Sequence, residues 1–168
     1  MAEAENIKKA LVVEDPANAE AYERSAANYR DQLEELDSAI RRYVDTVPVE
    51  ERVIFTSHDA LGYFARAYGF TITGTALGSL STEAADPSAG EIGELIEAIK
   101  GAGVPAIFAE NVESSDLMER IASDAGVVVA PPLYTDALSK SDGPAATYID
   151  LMTYNATTIV TALGGSAE

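Results

Sequence analysis

Between Tyr22 and Tyr43, apolar side chains recur at alternating steps of four and three: Tyr22, Ala26, Tyr29, Leu33, Leu36, Ile40 and Tyr43. That spacing draws one stripe down a helix and predicts a long amphipathic element. The faces between carry Glu23, Arg24, Arg30, Asp31, Glu34, Glu35, Arg41 and Arg42. Asp15-Pro16 supplies a start signal, because Asp suits an N-cap and Pro the first helical position. Pro48 supplies the stop. A shorter helical pattern, Glu5 to Val13, precedes the Asp15-Pro16 break. The stripe covers too few heptads for a coiled-coil seam. Packing along the flank of the following unit is the expectation.

After Pro48 the period changes. Val53-Ile-Phe-Thr56 is a short apolar run that reads as a buried strand, and a helix is expected from Asp59 to Tyr68, stopped by Gly69. Phe70 to Thr75 is a weaker second strand, followed by a Gly- and Ser-bearing loop to Pro87. Ser88 to Lys100 is a helix with Ile92, Leu95, Ile96 and Ile99 on one side, closed by Gly101 and Gly103. Pro105 to Ala109 is a third strand, Ser114 to Ala125 a helix, and Val127 to Ala130 a fourth strand stopped by Pro131-Pro132. Pro144 to Leu163 is the last helix, with Tyr148, Leu151, Met152, Asn155, Ile159 and Val160 on or near one face. Strands separated by helices imply parallel pairing through right-handed crossovers. The expected fold class is therefore α/β: a four-stranded parallel sheet flanked by helices, preceded by a long amphipathic helix. Residues 1–47 form the helical lead-in and residues 48–168 the α/β lobe, in one compact domain overall.

Composition narrows what such a chain does. Its 168 residues suffice for one full core, and 47% of them are hydrophobic. A formal charge of −17 argues against nucleic acid and against an anionic membrane surface. There is no cysteine, hence no disulfide framework and no thiolate metal site. No apolar run approaches the ~20 residues of a membrane span, so no membrane insertion is expected. The opening Met-Ala-Glu-Ala-Glu is acidic, unlike a signal peptide.

Candidate chemistry collects where parallel strands end. Their carboxyl ends share one edge, which would gather Ser57, His58 and Asp59 after the first strand and Thr75 to Glu83 after the second. Glu110 and Asn111 follow the third strand, and Tyr134, Thr135 and Asp136 the fourth. His58 is the one histidine of the chain. Alone it is a first-turn residue behind a capping Ser57; Asp59, Glu110 and Asp136 each have similar explanations as caps. Together, one imidazole and several carboxylates suit zinc, manganese or ferrous iron. A general base with an orienting acid, His58 with Asp59 or Asp136, is the enzyme alternative. No Gly-x-Ser-x-Gly elbow is present, and Gly74-Thr-Ala-Leu-Gly78 lacks the Lys-Ser/Thr of a phosphate-binding loop. A hydrolase thus has no motif behind it.

Thr56-Ser-His-Asp-Ala-Leu-Gly-Tyr-Phe-Ala-Arg-Ala-Tyr-Gly69 resembles the metal-ligand segment of the zinc- and manganese-binding solute-binding proteins of ABC importers. So do Ser81-Thr-Glu-Ala84 with the Pro87 to Ile96 helix, Ala106-Ile-Phe-Ala-Glu110, Pro132-Leu-Tyr-Thr-Asp-Ala-Leu138 and Thr147 to Asn155. Asn6-Ile-x-x-Ala10 and Asp15-Pro-Ala-Asn18 are similar to that family's linker-helix region. The resemblance implies two α/β lobes joined by a long helix, with the metal held between them by two side chains from each. It implies His58 and Asp136 as the pair from the carboxyl-terminal lobe, and Glu110 as a supporting or substitute ligand. Imidazole-rich sites lean toward Zn2+, with Mn2+ close behind.

No counterpart of the family's amino-terminal lobe is recognisable in this stretch, so an incomplete site with weak metal binding is expected. The implied partners are the metal ion, the missing amino-terminal lobe and an ABC permease. Localisation of the parent protein would be periplasmic or extracellular. An exposed edge at Thr82, Glu83, Asn111, Tyr134 and Thr135 would permit self-association. The alternative to metal capture is an isolated structural or interaction domain whose metal site is non-functional.

Overall fold

The computed structural model describes residues 2–57, 60–75, 88–111 and 116–167. Contacts divide the chain into two compact units, Met1–Ala39 and Ile40–Glu168.

The first unit is helical. Helix α1 spans Ala2–Glu14, and helix α2, Ala19–Val44, begins in it. Pro16–Asn18 form a single 3-10 turn between them, so the expected start at Asp15-Pro16 is realised as a turn and α2 proper opens at Ala19. Asp15 does not cap through a backbone amide. Its carboxylate accepts hydrogen bonds from Asn18 Nδ2 and the Tyr22 hydroxyl, each at 2.8 Å. The stripe read from the sequence runs along α2, but its only buried member is Ile40; Val44, beside the stripe at the helix end, is buried too.

The second unit alternates strand and helix: β1 (Val53–Thr56), α3 (Gly62–Tyr68), β2 (Thr71–Thr75), α4 (Ala89–Ala102), β3 (Ala106–Ile107), α5 (Asp116–Ala125), β4 (Val128–Val129) and α6 (Tyr148–Ala162). Local chemistry explains the borders. Gly69 and Gly103 end α3 and α4 in the left-handed region, at φ 77° and 66°, where a side chain would be strained. Ser88 and Glu91 close a reciprocal capping box at α4, and Thr147 and Asp150 do the same at α6. The last helix therefore starts four residues after the expected Pro144. The start expected for α5 at Ser114, like that of α3 at Asp59, lies outside the described residues.

The four-stranded sheet expected from the sequence is not what forms. The strands pair as two parallel two-stranded ladders, β1 with β2 and β3 with β4. A single bridge, Thr56 to Phe108, and the bond from Phe108 N–H to the Phe55 carbonyl (2.9 Å) bring the ladders together. The spatial order of strands is thus β2, β1, β3, β4. The shortness of the second ladder has a visible cause in the residues that bracket it. Pro105, Pro131 and Pro132 have no N–H to donate, which leaves β3 and β4 two residues long. In β2 the register slips between Ile54 and Phe55 of its partner. Gly74 stands at that irregularity, where a Cβ would come within 2.7 Å of Leu95 Cδ1.

The core lies between these strands and their helices. Ile54, Phe55, Ile107, Phe108, Ile121, Leu133, Ile159 and Leu163 are all buried. Among the described residues, no helix is long and apolar enough to cross a membrane.

Candidate functional site

Strand order reverses between β1 and β3: the chain leaves β1 toward β2 on one side, then returns to place β3 on the other. Such a reversal opens a crevice at the carboxyl ends of the two strands, where open α/β folds hold ligands. Thr56 and Ser57 end β1, and Glu110 lies three residues past β3. The bridge from Glu110 to Leu133 brings the segment after β4 to the same place.

Glu110 is the centre of this end of the unit. Its side chain is buried, at 2% exposure, yet it carries a carboxylate. Burying such a group is costly unless its oxygens are hydrogen-bonded. Here Oε1 accepts from the Thr56 hydroxyl at 2.8 Å and the Ser57 hydroxyl at 3.2 Å, and Oε2 accepts from the Thr135 hydroxyl at 2.7 Å. One carboxylate therefore ties the end of β1 to the segment beyond β4, across 54 and 25 residues of sequence.

The Tyr134–Asp136 segment has a second anchor. Asn155, buried within α6, donates from Nδ2 to the Tyr134 carbonyl at 2.6 Å and accepts from the Tyr134 N–H at 2.9 Å. Its amide thus replaces the strand partner that the Tyr134 backbone lacks. The Tyr134 ring meets Tyr154 edge-on, with centroids 5.3 Å apart. Beside it opens a groove of about 480 Å³, whose wall includes Leu61, Phe64, Tyr134, Asp136, Leu151 and Asn155.

Of the site residues expected from the sequence, the structure places Glu110 at the crevice and Asp136 in the groove wall, directly after the Thr135 that Glu110 holds. His58 lies outside the described residues; its neighbour Ser57 is bonded to Glu110. Asp59, Thr82 and Glu83 also lie outside them. Among the described residues, no three acidic, His or Cys side chains form a metal-sized cluster. Sequence reasoning gave Ser57 and Thr135 their places at this edge but not their bonds to Glu110, and it counted Asn155 simply as part of the face of α6. The available signal was polarity in an apolar stripe: an Asn between Met152 and Ile159 must find partners if buried.

Comparison with known proteins fits this geometry. Residues 1–162 match the family described as zinc-uptake complex component A, periplasmic, and the chain belongs to that family. It is 36% identical over 159 residues to the manganese-binding lipoprotein MntA of Halalkalibacterium halodurans, covering 95% of this chain and 52% of that protein. It is 39% identical over 142 residues to the zinc-binding protein TroA of Treponema pallidum, covering 80% of this chain and 44% of that protein. The solved structure of periplasmic zinc-binding protein TroA from Treponema pallidum superimposes with a TM-score of 0.85 at 32% identity, over 95% of this chain and 58% of that one. The chain thus spans about half the length of the curated relatives it matches.

Proposed function

We propose that this chain forms one lobe of an extracytoplasmic solute-binding protein that captures a divalent transition metal for an ABC importer, without catalysing a reaction. One observation carries the reading: the Glu110 carboxylate joins Ser57 and Thr135, the immediate neighbours of His58 and Asp136. In sequence, His58 directly follows Ser57 and Asp136 directly follows Thr135, and that adjacency supports them as the candidate pair. His58 and Asp136 are the proposed ligands, with Glu110 beside them in support. Relatives named for manganese and for zinc support the cargo class. An imidazole in the donor set favours zinc over manganese. Two side chains fall short of the four that a closed zinc site uses. The remaining ligands would come from a second lobe, so metal binding by these 168 residues is expected to be weak. Closure of two lobes around the ion would then present it to a permease.

Calorimetric titration of Zn2+ and of Mn2+ into the metal-depleted chain tests this. The expected result is measurable Zn2+ binding that falls at least about tenfold with either His58→Ala or Asp136→Ala, the loss usual for disturbing a metal site. Affinities unchanged by both substitutions would reject the reading, and so would a chain that binds no zinc.

A further inference from the structure

Asp136 stands in a segment without regular structure, and a ligand on such a segment is useful only if something else fixes its position. Two fixings are present, and they come from different directions. On one side the Asn155 amide pairs with both the N–H and the carbonyl of Tyr134, at 2.9 and 2.6 Å. On the other side the Thr135 hydroxyl donates to Glu110 Oε2 at 2.7 Å. Asn155 and Glu110 are themselves 4% and 2% exposed, so neither anchor moves freely. Asn155 sits within α6, whose neighbours Ala156, Ile159 and Val160 are buried in the core. Glu110 is also held by Thr56 and Ser57 at the end of β1.

We propose that Asn155 and the Thr135–Glu110 bond form a two-point brace that positions Asp136 for the metal, which makes Asn155 and Thr135 positioning residues. The inference rests on the metal-binding reading above and adds what sets the geometry of the site. The amide of Asn155 fixes the backbone one residue before Thr135. The hydroxyl of Thr135 fixes its side chain against the same carboxylate that holds Ser57. Between them, the backbone entering Asp136 is held in register with the end of β1. Glu110 acts here through hydroxyls, spacing the two ligand-bearing segments rather than contacting the ion. Supporting groups of this kind orient ligands and tune affinity without touching metal.

The test is a zinc titration of the 168-residue chain, unmodified and as Asn155→Ala, Thr135→Val and Asp136→Ala, with thermal unfolding of each metal-free form alongside. Asn155→Ala and Thr135→Val are each expected to weaken zinc binding about 10- to 100-fold, as loss of such supporting groups does. In an Asp136→Ala background the same two substitutions should change zinc affinity less than twofold, because they act through Asp136. A merely structural role would lower the unfolding temperature and leave the affinity of the folded chain unchanged. If Asp136→Ala weakens binding while both brace variants bind zinc like the unmodified chain, the brace is overturned and the metal reading stands. If Asp136→Ala has no effect, Asp136 is not a ligand and the brace falls, while His58→Ala then decides the metal reading. Should Asn155→Ala fail to fold, Thr135→Val decides alone: it removes one hydroxyl at nearly constant volume, and unchanged zinc affinity in it overturns the brace.

Discussion

From residue 2 to residue 39 no side chain is buried, whereas from Ile40 onward the chain encloses a core that includes Phe55, Phe108 and Ile159. Both units use the same vocabulary of apolar stripes and hydrogen-bonded carboxylates. Asp15 accepts from an amide and a phenol in the first unit, and Glu110 accepts from three hydroxyls in the second. What separates them is water. A carboxylate that can be hydrated gains little from a protein donor, whereas one enclosed in the core depends on every donor it has. An apolar stripe that stays half exposed likewise contributes a fraction of what the same residues contribute in a sealed interior. A motif in this chain is therefore worth what its burial makes it worth.

The largest expected effect breaks the comparison at the level of packing. Phe108→Ala removes a fully buried ring where the two ladders meet, and should cost about 3–5 kcal/mol in urea unfolding followed by circular dichroism. Leu33→Ala, on the half-exposed stripe of the first unit, should cost about 1 kcal/mol, reflecting transfer of a partly exposed side chain without a sealed cavity. Equal losses at the two positions would show that the helical unit has an interior as tight as the core.

A smaller effect sharpens the contrast between the carboxylates. In the metal-free chain, Glu110→Ala takes the shared acceptor from Thr56, Ser57 and Thr135, and should cost about 1–3 kcal/mol by leaving the buried Thr56 and Ser57 hydroxyls unsatisfied. Asp15→Ala, judged by the same unfolding midpoint, should move it far less. If Glu110→Ala left the midpoint unchanged, hydration rather than the hydroxyls would be what satisfies this end of the unit.

How much of this could be read beforehand follows the same division between near and far in sequence. The order of elements was legible because periodicity and stop signals are local. Gly69 and Gly103 end α3 and α4 as their positions suggest, and Ser88 with Glu91 caps α4. The start of α6 was legible too, in Thr147-x-x-Asp150, but Pro144 offered an earlier and stronger signal that the fold does not use. The continuity of the sheet was not legible. It depends on which backbone N–H groups face a partner, which the apolar pattern does not record, just as it does not record how Pro105, Pro131 and Pro132 limit the second ladder. The site divides in the same way. Glu110 and Asp136 could be placed at strand ends by topology alone. The pairing of Asn155 with Tyr134 joins residues 21 apart through an amide orientation that no spacing encodes.

The smallest effect concerns pH at the turn between α1 and α2. Hydrogen bonds from Asn18 and then Tyr22 hold the Asp15 carboxyl below its ordinary value of 3.8, against a lesser opposing effect of desolvation. The bond to Asp15 is also the leading cause that raises the Tyr22 hydroxyl above its ordinary 10.0. The two shifts set opposite limits to one contact. A depressed carboxyl adds stability above 3.8 and loses it as pH falls through its lowered value; a raised phenol adds stability below 10.0 and loses it as pH rises through its raised value. The turn should therefore keep its hydrogen bonds throughout the neutral range and give them up only in strong acid or strong alkali. Carboxyl carbon chemical shifts recorded against pH should put the Asp15 midpoint below 3.8, and Asn18→Ala should raise it toward that value, with the Tyr22 bond still in place. A midpoint at the ordinary value in the unmodified chain would mean that water competes these bonds away. The contrast with Glu110, two of whose donors, Thr56 and Ser57, are buried with it, would then be wider still.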